Sequence, residues 1–277
     1  MMNLSVLIVP YDSGICRARM GAGPEHLLEA GLKAPLNRLG HIVEVDVITL
    51  NDPHLAEIKT AFVLNAEVAR RVAAIRAANR FPIVLSGNCN IAVGAISGCG
   101  IATTGMFWFD AHGEATTPDT TPSGFLDGMG ISILTGQAWC KLARSIPGFD
   151  PVPGSRVILA GARDFSDGET DLLDRVGVAR ASTLDDVQRQ VPILASQIDG
   201  VYVHLDLDGL DPAEAVWNGW PTPAGWTIEA VQRSIDVIRQ HTHIVGFGFG
   251  SYDPSMDGDG RSLKAAAAIV ESLLGAH

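Results

Sequence analysis

Short apolar runs bounded by glycine, proline, asparagine or aspartate alternate with longer segments of helical spacing along the whole 277-residue chain. Apolar runs of this length are those of strands buried on both faces, and apolar positions recurring every three or four residues belong to helices. The pattern predicts strands over 4–9, 42–48, 82–85, 105–109, 156–160, 178–181, 201–205 and 244–249. Between them it predicts helices over 24–39, 56–78, 167–176, 184–198, 227–240 and 262–274, with Thr227 as an N-cap before Ile228. Strands and helices taking turns in this way give an α/β fold. The expected form is a three-layer αβα sandwich around a mainly parallel eight-stranded sheet, as one domain over residues 1–277.

Composition narrows the class. A 47% hydrophobic content is enough for a sizeable core, and 31 acidic against 20 basic residues leave a net charge of −11. That excess disfavours binding to nucleic acid phosphate or anionic lipid, and suits a protein that attracts metal ions or cationic small molecules. Cys16, Cys89, Cys99 and Cys140 are far apart with no CxxC pair, and no apolar stretch reaches membrane-spanning length. A cytoplasmic protein is the expectation, with no membrane or nucleic acid partner.

The chemistry sits at the ends of two apolar runs. Trp108-Phe-Asp-Ala-His-Gly-Glu114 offers Asp110, His112 and Glu114, and His204-Leu-Asp-Leu-Asp208 offers Asp206 and Asp208. Alternate residues of a strand point the same way, so each set can converge. Cys89, in Ser86-Gly-Asn-Cys-Asn90, is a candidate from a third segment. In open α/β sheets ligands gather beyond the carboxyl ends of the strands, where these segments lie. Burying four carboxylates together without cations is prohibitively costly, so divalent metal is expected among them.

These motifs resemble those of the arginase-like ureohydrolase family. The likeness begins at Pro10-Tyr-Asp12 and Gly21-Ala-Gly-Pro24, continues through 86–94, runs from Asp110 to Gly128 without a spacing change, and ends at Asp206 to Pro212. The resemblance implies hydrolysis of a linear amidino or guanidino C–N bond by hydroxide bridging two metal ions, usually manganese. It implies Cys89, Asp110, Glu114 and Asp206 around one ion, and His112 and Asp208 on the other, with Asp110 and Asp206 shared.

Several residues depart from the family pattern. Cys89 stands where most members have His, as in branches similar to hydroxyarginine amidinohydrolases; a thiolate is a softer ligand and favours zinc, iron or copper relative to manganese, with cobalt and nickel also to be considered. Glu114 replaces an Asp, and Asp127 replaces a His credited with proton transfer or substrate contact, which makes Glu114 and Asp127 the catalytic candidates. Ser251 takes the place of the Glu that pairs with guanidinium, Trp220 lies near a usual Thr, Thr116 replaces an Asn, and Ser123 matches a Ser that contacts an α-carboxylate. Thr116, Ser123 and Ser251 are therefore the substrate-binding candidates for a small molecule. His204 is expected either to orient a ligand carboxylate or to be a hydrogen-bonded core residue. The alternatives to a two-metal hydrolase are a catalytically inactive binding or assembly protein of the same fold, and a one-zinc deacetylase-like hydrolase. A homo-oligomer, dimer, trimer or hexamer, is the expected assembly.

Overall fold

A computed structural model describes residues 2–50 and 56–275. Its eight-stranded sheet is built from β1 (Asn3–Val9), β2 (Ile42–Val47), β3 (Phe81–Ser86), β4 (Thr104–Phe109), β5 (Val157–Ala160), β6 (Ala179–Ala181), β7 (Gly200–Asp206) and β8 (Ile244–Gly250). The strand order is β2-β1-β3-β8-β7-β4-β5-β6, and every pairing is parallel. Each predicted strand is present to within a residue or two.

Parallel strands need crossover helices, and these cover both faces. One face carries Leu27, Leu32 and Leu36 with the helices Leu184–Ala195, Ile228–His241 and Arg261–Leu274, packed on Phe107, Phe109, Val203 and Leu205. The other carries Glu57–Ala77, Ala92–Gly100 and Glu169–Val176, packed on Met106, Trp108 and Tyr202. The N-terminal helix is not uniform: Gly23–His26 passes through a π-helical stretch, Leu27–Leu32, into Lys33–Arg38. Thr227 caps its helix as expected, with its hydroxyl accepting from the Ala230 N–H at 3.1 Å.

Two features differ from the sequence expectation. Ala92–Gly100 is a helix that its sequence does not announce, because its alanines, glycines and apolar residues are buried nearly all round and leave no polar stripe. The edge strand β2 is mostly exposed, including Ile42, Val45 and Val47, so the helical layers stop short of it.

The strand order fixes where a ligand can sit. β3, β8, β7 and β4 are the four central neighbours, although β7 and β8 come last in the chain. The crossover from β3 to β4 therefore spans two later strands, and the crevice at such a reversal, outside the carboxyl ends, is open to ligands.

Candidate metal centre

All four central strands end in this crevice. Cys89 follows β3 in the short turn Cys89–Ile91, Asp110 directly follows β4, Asp206 closes β7 with Asp208 in the turn Leu207–Gly209, and Ser251 follows β8. Trp108 and Asp110 lie on the same side of their strand direction, as do Tyr202, His204 and Asp206, and with Trp108 in register with His204 the polar ends of the two buried rows lie side by side.

The side chains gather into two groups of donors whose ligand atoms lie within 4.8 Å of one another. The first is Cys89, Asp110 and Asp206; the second is Asp110, His112 and Asp208. Asp110 is common to both, and Asp206 belongs to the first alone. The Cys89 Sγ donates to Asp206 Oδ2 at 2.8 Å and lies 3.3 Å from Ser251 Oγ. His112 Nδ1 is 3.3 Å from Asp110 Oδ1 and 3.6 Å from Asp208 Oδ2. Glu114 stands outside both groups. Its backbone is left-handed, with φ of 54°, and its buried Oε2 has no hydrogen-bond partner among the described residues.

Neighbours hold these ligands in place. The Trp108 indole N–H donates to Asp110 Oδ2 at 2.9 Å, and the His112 N–H to Asp110 Oδ1 at 2.8 Å. The Asp208 N–H donates to Asp206 Oδ1 at 3.0 Å, and Asn218 Nδ2 to Asp208 Oδ2 at 2.9 Å. Arg163, behind Asp208, donates to the backbone carbonyls of Gly161, Asp208, Gly209, Leu210, Thr222 and Pro223 rather than to a carboxylate.

The electrostatics call for cations. Burial first, and then their carboxylate neighbours, push Asp206 and Glu114 well above the usual range and Asp208 up to about 6. Burial opposes charge on His112, yet its hydrogen bond to Asp110 and the pull of Asp208 and Asp206 raise it to about 10. A field that holds a proton so firmly would hold a divalent ion as well. Carboxylate oxygens, an imidazole nitrogen and a thiol form a donor set suited to first-row divalent metals, and Glu114 Oε2 is an orphan that such an ion would satisfy. The residues fit the metals that the sequence leads one to expect.

Asp127 is fixed separately. Its Oδ1 accepts from the Asn90 N–H at 2.8 Å and Asn90 Nδ2 at 3.0 Å, and its Oδ2 from Asn88 Nδ2 at 2.9 Å. Burial raises this carboxyl to about 7, against the lowering effect of those amides. The asparagines flanking Cys89 thus tie the thiol's turn to Asp127.

A cleft of about 360 Å³ opens onto the site and is lined by Glu114, Thr116, Ser123, Asp127, Trp220 and Ser251, among others. Thr116 Oγ1 donates to Gly128 O at 2.7 Å, and Ser123 Oγ accepts from the Phe125 N–H at 3.1 Å. Ser251 is buried at φ 60°. Asp253 does not stand in for the missing acid: its Oδ1 accepts from Ser255 N and Ser255 Oγ, and it is not among the lining residues.

His204 matches neither expectation. Both ring nitrogens are buried and lack a hydrogen-bond partner among the described residues, and the ring packs on Trp108 with centroids 4.6 Å apart. A Cβ on Gly248 would lie 3.3 Å from His204 Nδ1, and one on Gly250 would lie 2.4 Å from Cys89 Sγ. The glycines of β8 make room for both side chains.

Sequence reasoning missed Asn218, the indole of Trp108 as a ligand-orienting donor, and Glu169. The last accepts from the Ala115 and Ser166 N–H groups at 2.8 and 2.7 Å and supports the loop that carries His112 and Glu114. Asn218, ten residues after Asp208, and Glu169, 54 positions from Ala115, belong to no motif; only Trp108, two residues before Asp110, could have been suspected from alternation.

A model of the arginase family matches residues 2–275. The arginase of Brevibacillus brevis is 30% identical over 293 residues, covering 99% of this chain and 98% of that protein. The Bacillus caldovelox arginase is 29% identical, covering 99% of each. Among solved structures, arginase from Bacillus subtilis superposes with a TM-score of 0.88 at 28% identity, covering 99% of both chains. The native Bacillus caldovelox arginase gives 0.87 at 28% identity, covering 100% of this chain and 99% of that one. With the family match spanning nearly its whole length, the chain belongs to the arginase family and is a metal-dependent enzyme of the ureohydrolase type.

Proposed function

We propose that this enzyme hydrolyses a C–N bond of a linear amidino or guanidino compound at a pair of divalent ions. The observation that carries the reading is the pair of donor groups sharing Asp110 at the head of the cleft. Cys89, Asp110 and Asp206 would hold one ion, with Glu114 completing its surroundings, and Asp110, His112 and Asp208 would hold the other. When bound, the ions would supply a water of lowered pKa as nucleophile and positive charge against the charge developing at the carbon.

The chain's own residues do the rest. Asp110 is locked by Trp108 and by the His112 N–H, so its two oxygens keep fixed directions. Glu114, pushed upward by burial and its carboxylate neighbours, would serve as a proton acceptor only once cations offset those neighbours. Asp127, near 7 and clamped by three amide donors, can deliver a proton to the departing amine at neutral pH. The acidic lining favours a cationic amidino group entering the cleft, and Ser251 gives it a hydroxyl where a carboxylate would pair more strongly.

Manganese is the first metal to test, and Cys89 makes zinc, iron, cobalt and nickel the next. Purified protein reconstituted with each metal should release urea, ammonia or amine from members of a guanidine and amide panel. Silence across all metals and substrates, with the ions shown to be bound, would overturn the reading.

A further inference from the structure

The mouth of the cleft carries an aromatic pair that metal chemistry does not require. Phe125 and Trp220 both line the cleft, and their rings stack with centroids 5.9 Å apart and planes 25° from parallel. Trp220 is 49% exposed. An exposed aromatic ring on the wall of a cleft offers a flat apolar surface to whatever enters it.

The pair is built in rather than incidental. The Trp220 N–H donates to Asn218 Oδ1 at 2.8 Å, while Asn218 Nδ2 donates to Asp208 Oδ2 at 2.9 Å and to Ser251 O at 3.2 Å. One amide therefore ties the Trp220 backbone to a proposed metal ligand and to the cleft wall. Phe125 immediately precedes the turn Leu126–Met129 that carries Asp127. The backbones that carry the two rings are thus anchored beside the reacting groups, and the rings brace each other, which lowers the cost of ordering them around a substrate.

The rest of the lining is unfavourable to the carboxylate of an amino-acid head group. Six carboxylates line the cleft, and no Lys or Arg is among the described residues that do so. The Thr116 hydroxyl is spent on Gly128 O, and both oxygens of Glu169 are spent on backbone N–H groups. Apart from His112, which faces Asp110 and Asp208, the charged side chains lining the cleft are acidic, so an α-carboxylate would find little beyond the Ser123 hydroxyl to pair with, whereas a flat uncharged group would meet the exposed ring of Trp220.

We propose that Phe125 and Trp220 determine specificity, selecting a guanidino substrate whose remote end is a flat uncharged ring instead of an amino-acid head group. The inference rests on the hydrolase reading above and names its substrate class. Phenethylguanidine, with as many non-hydrogen atoms as L-arginine, is the probe, and agmatine represents a cationic tail.

Steady-state constants and calorimetric dissociation constants are measured on the metal-loaded enzyme. Phenethylguanidine should be preferred over both rivals, and Trp220→Ala should cut that preference about tenfold through KM and Kd rather than kcat, the size expected of a lost ring stack. Trp220→Phe should restore most of it. Tighter binding of arginine or agmatine, or a preference indifferent to Trp220→Ala, would overturn the proposal. If no guanidine is turned over, the hydrolase reading falls, while the calorimetric ranking still decides whether the aromatic pair selects a ring.

Discussion

The indole of Trp108 reaches 2.9 Å to the carboxylate of Asp110, two residues along the same strand direction, and so orients the one residue common to both donor groups. A tryptophan buried between sheet and helices would otherwise strand its N–H. Here the core supplies the donor that aims the ligand. Trp108→Phe keeps a ring in the core and deletes that donor. Metal affinity should fall about 10- to 100-fold, as for other lost partners of metal ligands, with the circular dichroism spectrum unchanged. Titration of metal-free protein with manganese or zinc measures it, and undiminished affinity would show that Asp110 needs no such support.

Asp127→Asn preserves shape and removes the titrating carboxyl. The residue is raised to about 7, chiefly by burial. As proton donor it must be protonated, so kcat in the native enzyme should decline as pH rises through about 7. In the variant that limb should vanish and kcat should fall about 100-fold. A pH–rate profile that keeps the same limb in the variant would assign it to another group.

His204 makes stability fall on acidification. Burial lowers its pKa to about 4 from 6.5, so the unfolded chain takes up a proton at a higher pH than the folded one. The stability is fully present above 6.5 and is lost as pH falls toward 4, by about 3 kcal/mol in all. His204→Phe retains a ring against Trp108 and removes two orphaned nitrogens. Urea unfolding of metal-free protein should show the variant more stable at pH 8 by about 1–3 kcal/mol, with the gap widening at pH 5. A gap independent of pH would mean that His204 is not buried in its neutral form.

Gly250→Ala tests the room made for Cys89. The added Cβ would stand 2.4 Å from the sulfur, so the thiol must leave its place beside Asp206. Overpacking of this kind costs about 1–3 kcal/mol, and the first ion should be lost in preference to the second. Elemental analysis showing one bound ion instead of two is the expected outcome, and two retained ions would place Cys89 outside the ligand set.

Much of this was legible in the sequence because the central strands are buried on both faces and therefore read as unbroken apolar runs. Asp110, Asp206 and Asp208 could be located because each sits where such a run stops. Ala92–Gly100 was not legible, since a helix buried nearly all round has no periodic contrast. Glu114 was grouped with Cys89 and Asp206 by likeness to the family pattern; its backbone is left-handed, and it is in neither of the two donor groups. Asn218, ten residues beyond Asp208, sits in no recognisable motif, and Glu169 reaches Ala115 across 54 positions, which a local pattern does not encode. His204 misled because period two reports direction and says nothing of partners; the glycines that accommodate it lie on another strand.

Arg163 has a consequence for how the enzyme matures. Its guanidinium fastens the 207–223 segment to the end of β5 through five carbonyls of that segment and that of Gly161, so that wall is assembled by the polypeptide alone. The guanidinium charge still acts on Asp208 and Asp110 from a distance, but its hydrogen bonds go to carbonyls, so the acids in front of it lack a paired cation after folding. The apoprotein is thereby left as an electrically unfinished receptor, whose completion depends on how much metal its surroundings provide.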